Sequence, residues 1–188
     1  AELGGQWNIA CATPGKEVFA TLSEHLKRSL DKYGVSVTLD TEVTKDMVLK
    51  MKPDAVVVAT GAVPQGLNIP GAMGPNVVQA NDVIRGTTKT KGRVVVIGGR
   101  FTGMEVAIWL AEQGKQVMLV NRSGLGGEKG PEETNLYRTL ARRLIDLRIP
   151  LYLNTAVLEI TEGSVIAGWG EEIFSLPADT VVLAVGVE

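Results

Sequence analysis

Arg93-Val94-Val95-Val96-Ile97-Gly98-Gly99-Arg100-Phe101-Thr102-Gly103-Met104-Glu105 runs from a continuous apolar strand, through glycines, into the opening of a helix. This is the shape of a dinucleotide-binding βα turn, G-x-G-x-x-G, in which each glycine has a separate steric duty. The first permits the tight turn, the second lets the backbone approach a pyrophosphate, and the third lets helix and strand pack closely. Gly98 and Gly103 hold the first and third places, and Arg100 stands in the second. Val106, Leu110 and Ala111 continue an apolar helical stripe as far as Gly114, and Gln116 to Val120 reads as a second strand. The turn therefore lies inside a βαβ unit, at a helix N-terminus whose free N–H groups and dipole favour phosphate. The competing reading is a glycine-rich turn with no ligand, which α/β folds also use.

The 188 residues suffice for one large α/β domain or two small ones. A net charge of −2, with Lys and Arg scattered, supplies no basic field for nucleic acid. No apolar run approaches the roughly 18 residues of a membrane span, and no signal-peptide pattern opens the chain, so a cytoplasmic protein is expected. Cys11, the only cysteine, excludes an internal disulfide and a Cys-x-x-Cys pair, and reads as a small near-buried residue. His25, the only histidine, flanks the helical stripe Val18, Leu22, Leu26 and Leu30. Neither a hydrolase triad nor a histidine-bearing metal site has material to be built from, and no metal site is expected.

Along the chain, helix and strand signals alternate. Pro14-Gly15-Lys16 opens a helix that Gly34 stops, Val35 to Leu39 reads as a strand, and Thr44 to Met51 as a short helix. Asp54 to Ala59 is another buried-strand pattern ending in Thr60-Gly61. An irregular crossing from Pro64 to Pro75 leads to Val77-Val78, a small helix over Asn81 to Arg85, and a polar linker from Thr87 to Gly92. Beyond the βαβ unit, Ser123 to Gly130 is a glycine-rich loop, read as a connection or as a cover over bound nucleotide. Pro131-Glu132-Glu133 starts a helix, with Arg142, Arg143 and Arg148 as surface residues toward its far end. Ala156 to Ile160, Ser164 to Ala167 and Glu172 to Phe174 predict an antiparallel meander, and Asp179 to Gly186 a closing strand. The fold class is α/β, with Rossmann-like parallel sheets and a small antiparallel meander.

Asp54-Ala-Val-Val-Val-Ala-Thr-Gly61 and Asp179-Thr-Val-Val-Leu-Ala-Val-Gly186 share one pattern, 125 positions apart. With Gly98, Gly103 and Glu105 in place, the second half resembles the NAD(P)-binding domain of pyridine-nucleotide-dependent flavoprotein reductases. The first half resembles part of their FAD-binding domain. Leu3-Gly4-Gly5-Gln6 followed by Pro14-Gly15-Lys16 narrows the likeness. The chain resembles the C-terminal portion of the 2,4-dienoyl-CoA reductase, 2-enoate reductase and trimethylamine dehydrogenase group. These are old-yellow-enzyme barrels, NADH:flavin oxidoreductases, joined to a flavin and nucleotide module. The resemblance implies a partial FAD-binding domain over residues 1–90, lacking its first strand and C-terminal part, and an NAD(P)-binding domain over 91–188. It implies an interior fragment of a longer flavoprotein oxidoreductase, inactive alone, whose missing barrel domain carries FMN and an iron–sulfur cluster.

In that family NAD(P)H gives hydride to FAD, and electrons pass through the cluster to FMN, which reduces enoyl-type substrates. The resemblance implies Gly98, Gly99, Arg100, Thr102 and Gly103 at the pyrophosphate and Glu105 near the nicotinamide. It implies Gly4, Gly5, Gln6, Val43, Thr60 and Gly61 on the FAD side, and no catalytic side chain here. Surface-helix duty for Glu105, and turn or strand-end duty for the FAD-side residues, are the plain alternatives. Asn121-Arg122 follows the second strand, where an NAD site places an acid on the ribose and an arginine suits a 2′-phosphate, so NADPH is favoured. Arg122 as a solvated side chain is the alternative. Arg100 either clamps a phosphate or crowds it. Two function classes follow: a hydride-receiving oxidoreductase module, or a non-catalytic domain that holds ADP or serves assembly.

Overall fold

The computed structural model describes residues 2–126 and 135–188. Gly127 to Gly130 of the glycine-rich loop and the helix start at Pro131-Glu132-Glu133 lie outside the described residues. The chain forms two compact units, Ala1–Ala62 and Val63–Glu188.

The first unit holds α1 (Gly5–Cys11), a 3₁₀ turn over Glu17–Phe19 that leads into α2 (Ala20–Lys32), and α3 (Lys45–Met51). Gly4 at φ 119° starts α1, a backbone state that favours glycine. Thr44 caps α3, its hydroxyl accepting the Met47 amide at 3.3 Å. Cys11 is buried and His25 exposed, as their neighbours in sequence suggest.

Two expected strands are absent from this unit. Val35 to Leu39 and Asp54 to Ala59 join no ladder among the described residues. A strand requires a hydrogen-bonded neighbour as well as a pattern, and without one the apolar run stays in solvent. Val56, Val57 and Val58 are accordingly 58%, 89% and 80% exposed. The stripe of α2 shares this fate: Val18, Leu22 and Leu26 are exposed, and Ser23 is the buried residue of the helix. An amphipathic helix buries its stripe only against another layer.

The second unit holds a five-stranded parallel sheet and a three-stranded antiparallel one. Its elements are β1 (Val77–Gln79), α4 (Ala80–Ile84), β2 (Arg93–Ile97), α5 (Phe101–Glu112), β3 (Gln116–Val120), α6 (Asn135–Asp146) and β4 (Leu151–Tyr152). The meander β5 (Ala156–Ile160), β6 (Ser164–Trp169) and β7 (Glu172–Pro177) precedes β8 (Thr180–Leu183). The parallel sheet has the order β1-β8-β2-β3-β4. Residues 63–90, grouped on sequence with the first domain, carry β1 and α4; β1 pairs with β8, Val77 opposite Val181. The two-residue β4 is too short for a periodic signal.

Side chains alternate across the central strands. Val95, Ile97, Val181 and Leu183 join Ile160, Val165, Ala167 and Leu176 of the meander in one core. Val94, Val96 and Val182 are also fully buried, and α5 packs on β2 and β3. Each such valine contributes roughly 1.5–3 kcal/mol by burial. Arg143 of α6 ties to Glu112 of α5 at 2.8 Å. At the N-terminal edge of the sheet, Arg93 pairs with Asp179 at 2.9 Å. No helix among the described residues is long and apolar enough to cross a membrane.

Candidate functional site

At the C-terminal ends of β2 and β8 the chain turns through Gly98, which has φ 123° and donates its amide to the Val120 carbonyl at 2.9 Å. A Cβ on Gly98 would fall 2.3 Å from the Ala184 carbonyl oxygen, so both conformation and space require glycine. Gly103, one turn into α5, would place a Cβ 1.9 Å from the Gly98 oxygen. That is the close helix–strand approach assigned to the third glycine of the motif.

Gly99 is held from both sides. Its amide donates to Asn121 Oδ1 at 2.9 Å, and its carbonyl accepts the Gly126 amide at 2.9 Å. A Cβ there would lie 2.8 Å from Asn121 Cγ. Asn121 uses its other end as well: Nδ2 donates to the Gly124 carbonyl at 2.8 Å and the Ser123 carbonyl at 3.1 Å, and lies 3.3 Å from Ser123 Oγ. The half-buried amide thus joins the end of β3 to the glycine turn and to the loop that follows.

Arg100 is exposed and has φ −89° and ψ −177°, an extended backbone open to any residue. Its position therefore demands no glycine for conformation, and only space at the ligand is at issue. It is the N-cap of α5, its side chain makes no capping hydrogen bond, and the first turn has no acid. Thr102 is exposed there and Glu105 is half-buried one turn on. Arg100, Phe101, Met104, Gly126 and Tyr137 line a shallow depression beside the turn. Arg122 is exposed just beyond β3.

This arrangement fits a pyrophosphate. Gly98 and Gly103 bring the first turn of α5 against the strand ends, and a helix start with no acid in its first turn suits an anion. Ala184 and Gly126, which wall the turn, carried no signal in the sequence because their contacts reach across long separations. Among the described residues, no group of three or more His, Cys, Asp or Glu side chains is placed to hold a metal.

In the first unit the structure draws part of the expected FAD-side set together. Gln6 Nε2 donates to the Ala62 carbonyl, and a Cβ on Gly61 would sit 3.9 Å from that nitrogen. Gly4, Gly5 and Gly61 have positive φ, which suits glycine at each turn. Thr60 is exposed, and Val43 lies in the exposed stretch before α3.

Residues 3–188 match the family model described as pyridine nucleotide-disulphide oxidoreductase. A bilirubin reductase of Mediterraneibacter gnavus is 37% identical over 185 residues, 98% of this chain and 28% of the relative. A metal reductase of Desulforamulus reducens is 31% identical, over 98% of this chain and 32% of its own length. The solved structure of a 2-naphthoyl-CoA reductase in complex with 2-naphthoyl-CoA superposes with a TM-score of 0.88 at 27% identity, covering 100% of this chain and 28% of that one. The chain thus spans about 30% of the length of the relatives it matches.

Proposed function

The chain belongs to the pyridine nucleotide-disulphide oxidoreductase family, and on that premise we propose that it is the FAD- and NAD(P)H-binding module of a longer flavin-dependent reductase. In this reading NAD(P)H would give hydride to FAD, and the electrons would then be delivered to an FMN site on a barrel domain of the same protein. The nicotinamide and flavin, when bound, supply the redox chemistry, and the residues of this chain bind and orient them. The reductase names of its relatives support the reaction class. The CoA thioester in the superposed structure supports an unsaturated acyl substrate for the whole protein.

The observation that carries this is the pairing of Gly98 and Gly103, which brings the α5 start against the strand ends at the sheet's C-terminal edge. In this reading the pyrophosphate lies against the first turn of α5, where Thr102 is exposed, and Gly98, Gly99 and Gly103 shape the turn beneath it. Glu105 stands one turn further along, on the side assigned to the nicotinamide. Arg122, exposed after β3, supplies positive charge for a 2′-phosphate and favours NADPH. Gly4, Gly5, Gln6, Thr60 and Gly61, with Val43, are assigned to the flavin.

Arg100 favours a second reading, in which the site holds ADP or serves assembly without passing electrons. Calorimetric titration with NADPH, NADH and ADP separates the two. The module reading expects the nicotinamide nucleotides to bind, NADPH more tightly than NADH. Binding of ADP alone supports the second reading, and binding of none removes both nucleotide readings.

A further inference from the structure

Asn121 occupies the place from which a Rossmann site addresses the ribose, yet both ends of its side chain are used inside the protein. Oδ1 receives the Gly99 amide at 2.9 Å. Nδ2 reaches the carbonyls of Ser123 and Gly124 at 3.1 and 2.8 Å. An amide nitrogen has two hydrogens, and these carbonyls account for both. The oxygen keeps a second lone pair, but a ribose hydroxyl seeking it would compete with a half-buried contact.

The backbone on either side shows what the amide holds together. Gly126 donates to the Gly99 carbonyl at 2.9 Å, so the loop from Arg122 to Gly126 is fastened to the glycine turn twice, once through Asn121 and once directly. Asn154 and Thr155 add two backbone ties to this end of β3: Asn154 donates to the Ser123 carbonyl at 3.2 Å and Thr155 to the Asn121 carbonyl at 3.0 Å. Gly99 has no Cβ to hold Asn121 away, and one would lie 2.8–2.9 Å from the amide carbon, its Cβ and its nitrogen. The missing side chain at Gly99 thus makes room for Asn121 rather than for a ligand.

From this geometry we infer that Asn121 is a positioning residue. It fixes the Gly99 peptide and the Arg122–Gly126 loop for the pyrophosphate, and does not itself discriminate the ribose 2′ substituent. Selection between NADPH and NADH then falls to Arg122, carried by the loop that Asn121 holds. The inference rests on the nucleotide-binding reading above and assigns a residue within it.

The test compares the full chain with Asn121→Ala and Asn121→Asp by titration with ADP, NADH and NADPH, well below the melting transition. There a merely stabilising contact leaves the dissociation constants unmoved. Losing one or two hydrogen bonds' worth of positioning should weaken all three ligands of Asn121→Ala by a common factor of about ten, with the NADPH:NADH ratio preserved. Asn121→Asp retains an acceptor for Gly99 but sets a second oxygen against the carbonyls of Ser123 and Gly124 and brings a carboxylate toward the 2′ position, so it should weaken all three ligands and NADPH the most. Amide hydrogen exchange at Gly99 and Gly126 should quicken in both variants while Val95 and Val182 stay protected, which shows the sheet intact. A changed NADPH:NADH ratio in the uncharged Asn121→Ala variant would mean that Asn121 reads the ribose, and unchanged affinities for all ligands would mean that it positions nothing; either overturns the inference while nucleotide binding stands. A parent chain that binds none of the three overturns both.

Discussion

Arg100 decides how far the glycine turn departs from its pattern. Its backbone is extended and unstrained, so glycine at this position would relieve nothing within the fold. Any gain must come from the ligand side, where the Cβ and stem take up space whatever the guanidinium does. Arg100→Gly should therefore bind NADPH more tightly, by about 1 kcal/mol, the size of a local steric relief less one screened charge contact. Titration of both proteins at matched salt checks this, and weaker binding by the variant would identify Arg100 as a phosphate ligand. Gly98 and Gly103 could be assigned from spacing because their duties are local to one βα turn. The bond from Gly99 to Asn121 crosses 22 positions, and no spacing rule announces it.

A second residue-scale effect lies at the opposite edge of the sheet. The Arg93 side chain, and then its backbone amide, donate to Asp179 and lower the carboxyl from the ordinary 3.8 to about 2. A depressed carboxyl stabilises the fold above its unfolded value and loses that contribution as pH falls through the folded value. Stability should thus decline between about pH 4 and pH 2, and Asp179→Asn should flatten that part of the curve, as read by denaturant midpoints at each pH. An unchanged slope in the variant would assign the acid loss to other carboxyls. Both groups are substantially exposed, so salt should weaken the effect.

Among the elements, the contrast between β2 and the 55–58 run is instructive. Val94-Val95-Val96 and Val56-Val57-Val58 are the same tripeptide, yet the first is fully buried and the second is mostly exposed. Strand β2 lies between β8 and β3, whereas residues 55–58 join no ladder among the described residues. An unpaired, apolar, uncharged run is a template for pairing with another chain. Val57→Lys should therefore reduce concentration-dependent association of the chain, seen by light scattering, while changing its melting by no more than about 0.5 kcal/mol. A large loss of stability would mean that Val57 is buried in solution. The meander shows the reverse case: its alternation was legible, and its buried residues complete the core under β2 and β8.

For the whole molecule, the distribution of buried side chains predicts unequal stability in the two units. The buried hydrophobic residues of the first unit are Ile9 and Cys11 among those described, whereas the second buries most of a layered core. Hydrogen exchange should find the slowest amides in β2 and β8 and fast exchange over residues 35–39 and 55–60. Comparable protection of residues 55–60 and β8 would show that the former are paired in solution.

By itself, the sequence determined the glycine turn, the βαβ unit, the meander and the family likeness, since each rests on contacts a few residues apart or on a repeated pattern. Tertiary structure alone decided that β8 sits between β1 and β2, that Ala184 walls the turn, and that Asn121 faces Gly99. It also decided which of two identical valine runs is buried. The physical reason is that a pattern states what a segment needs, a face to bury or a ladder to join, while the partner that meets the need comes from elsewhere in the chain.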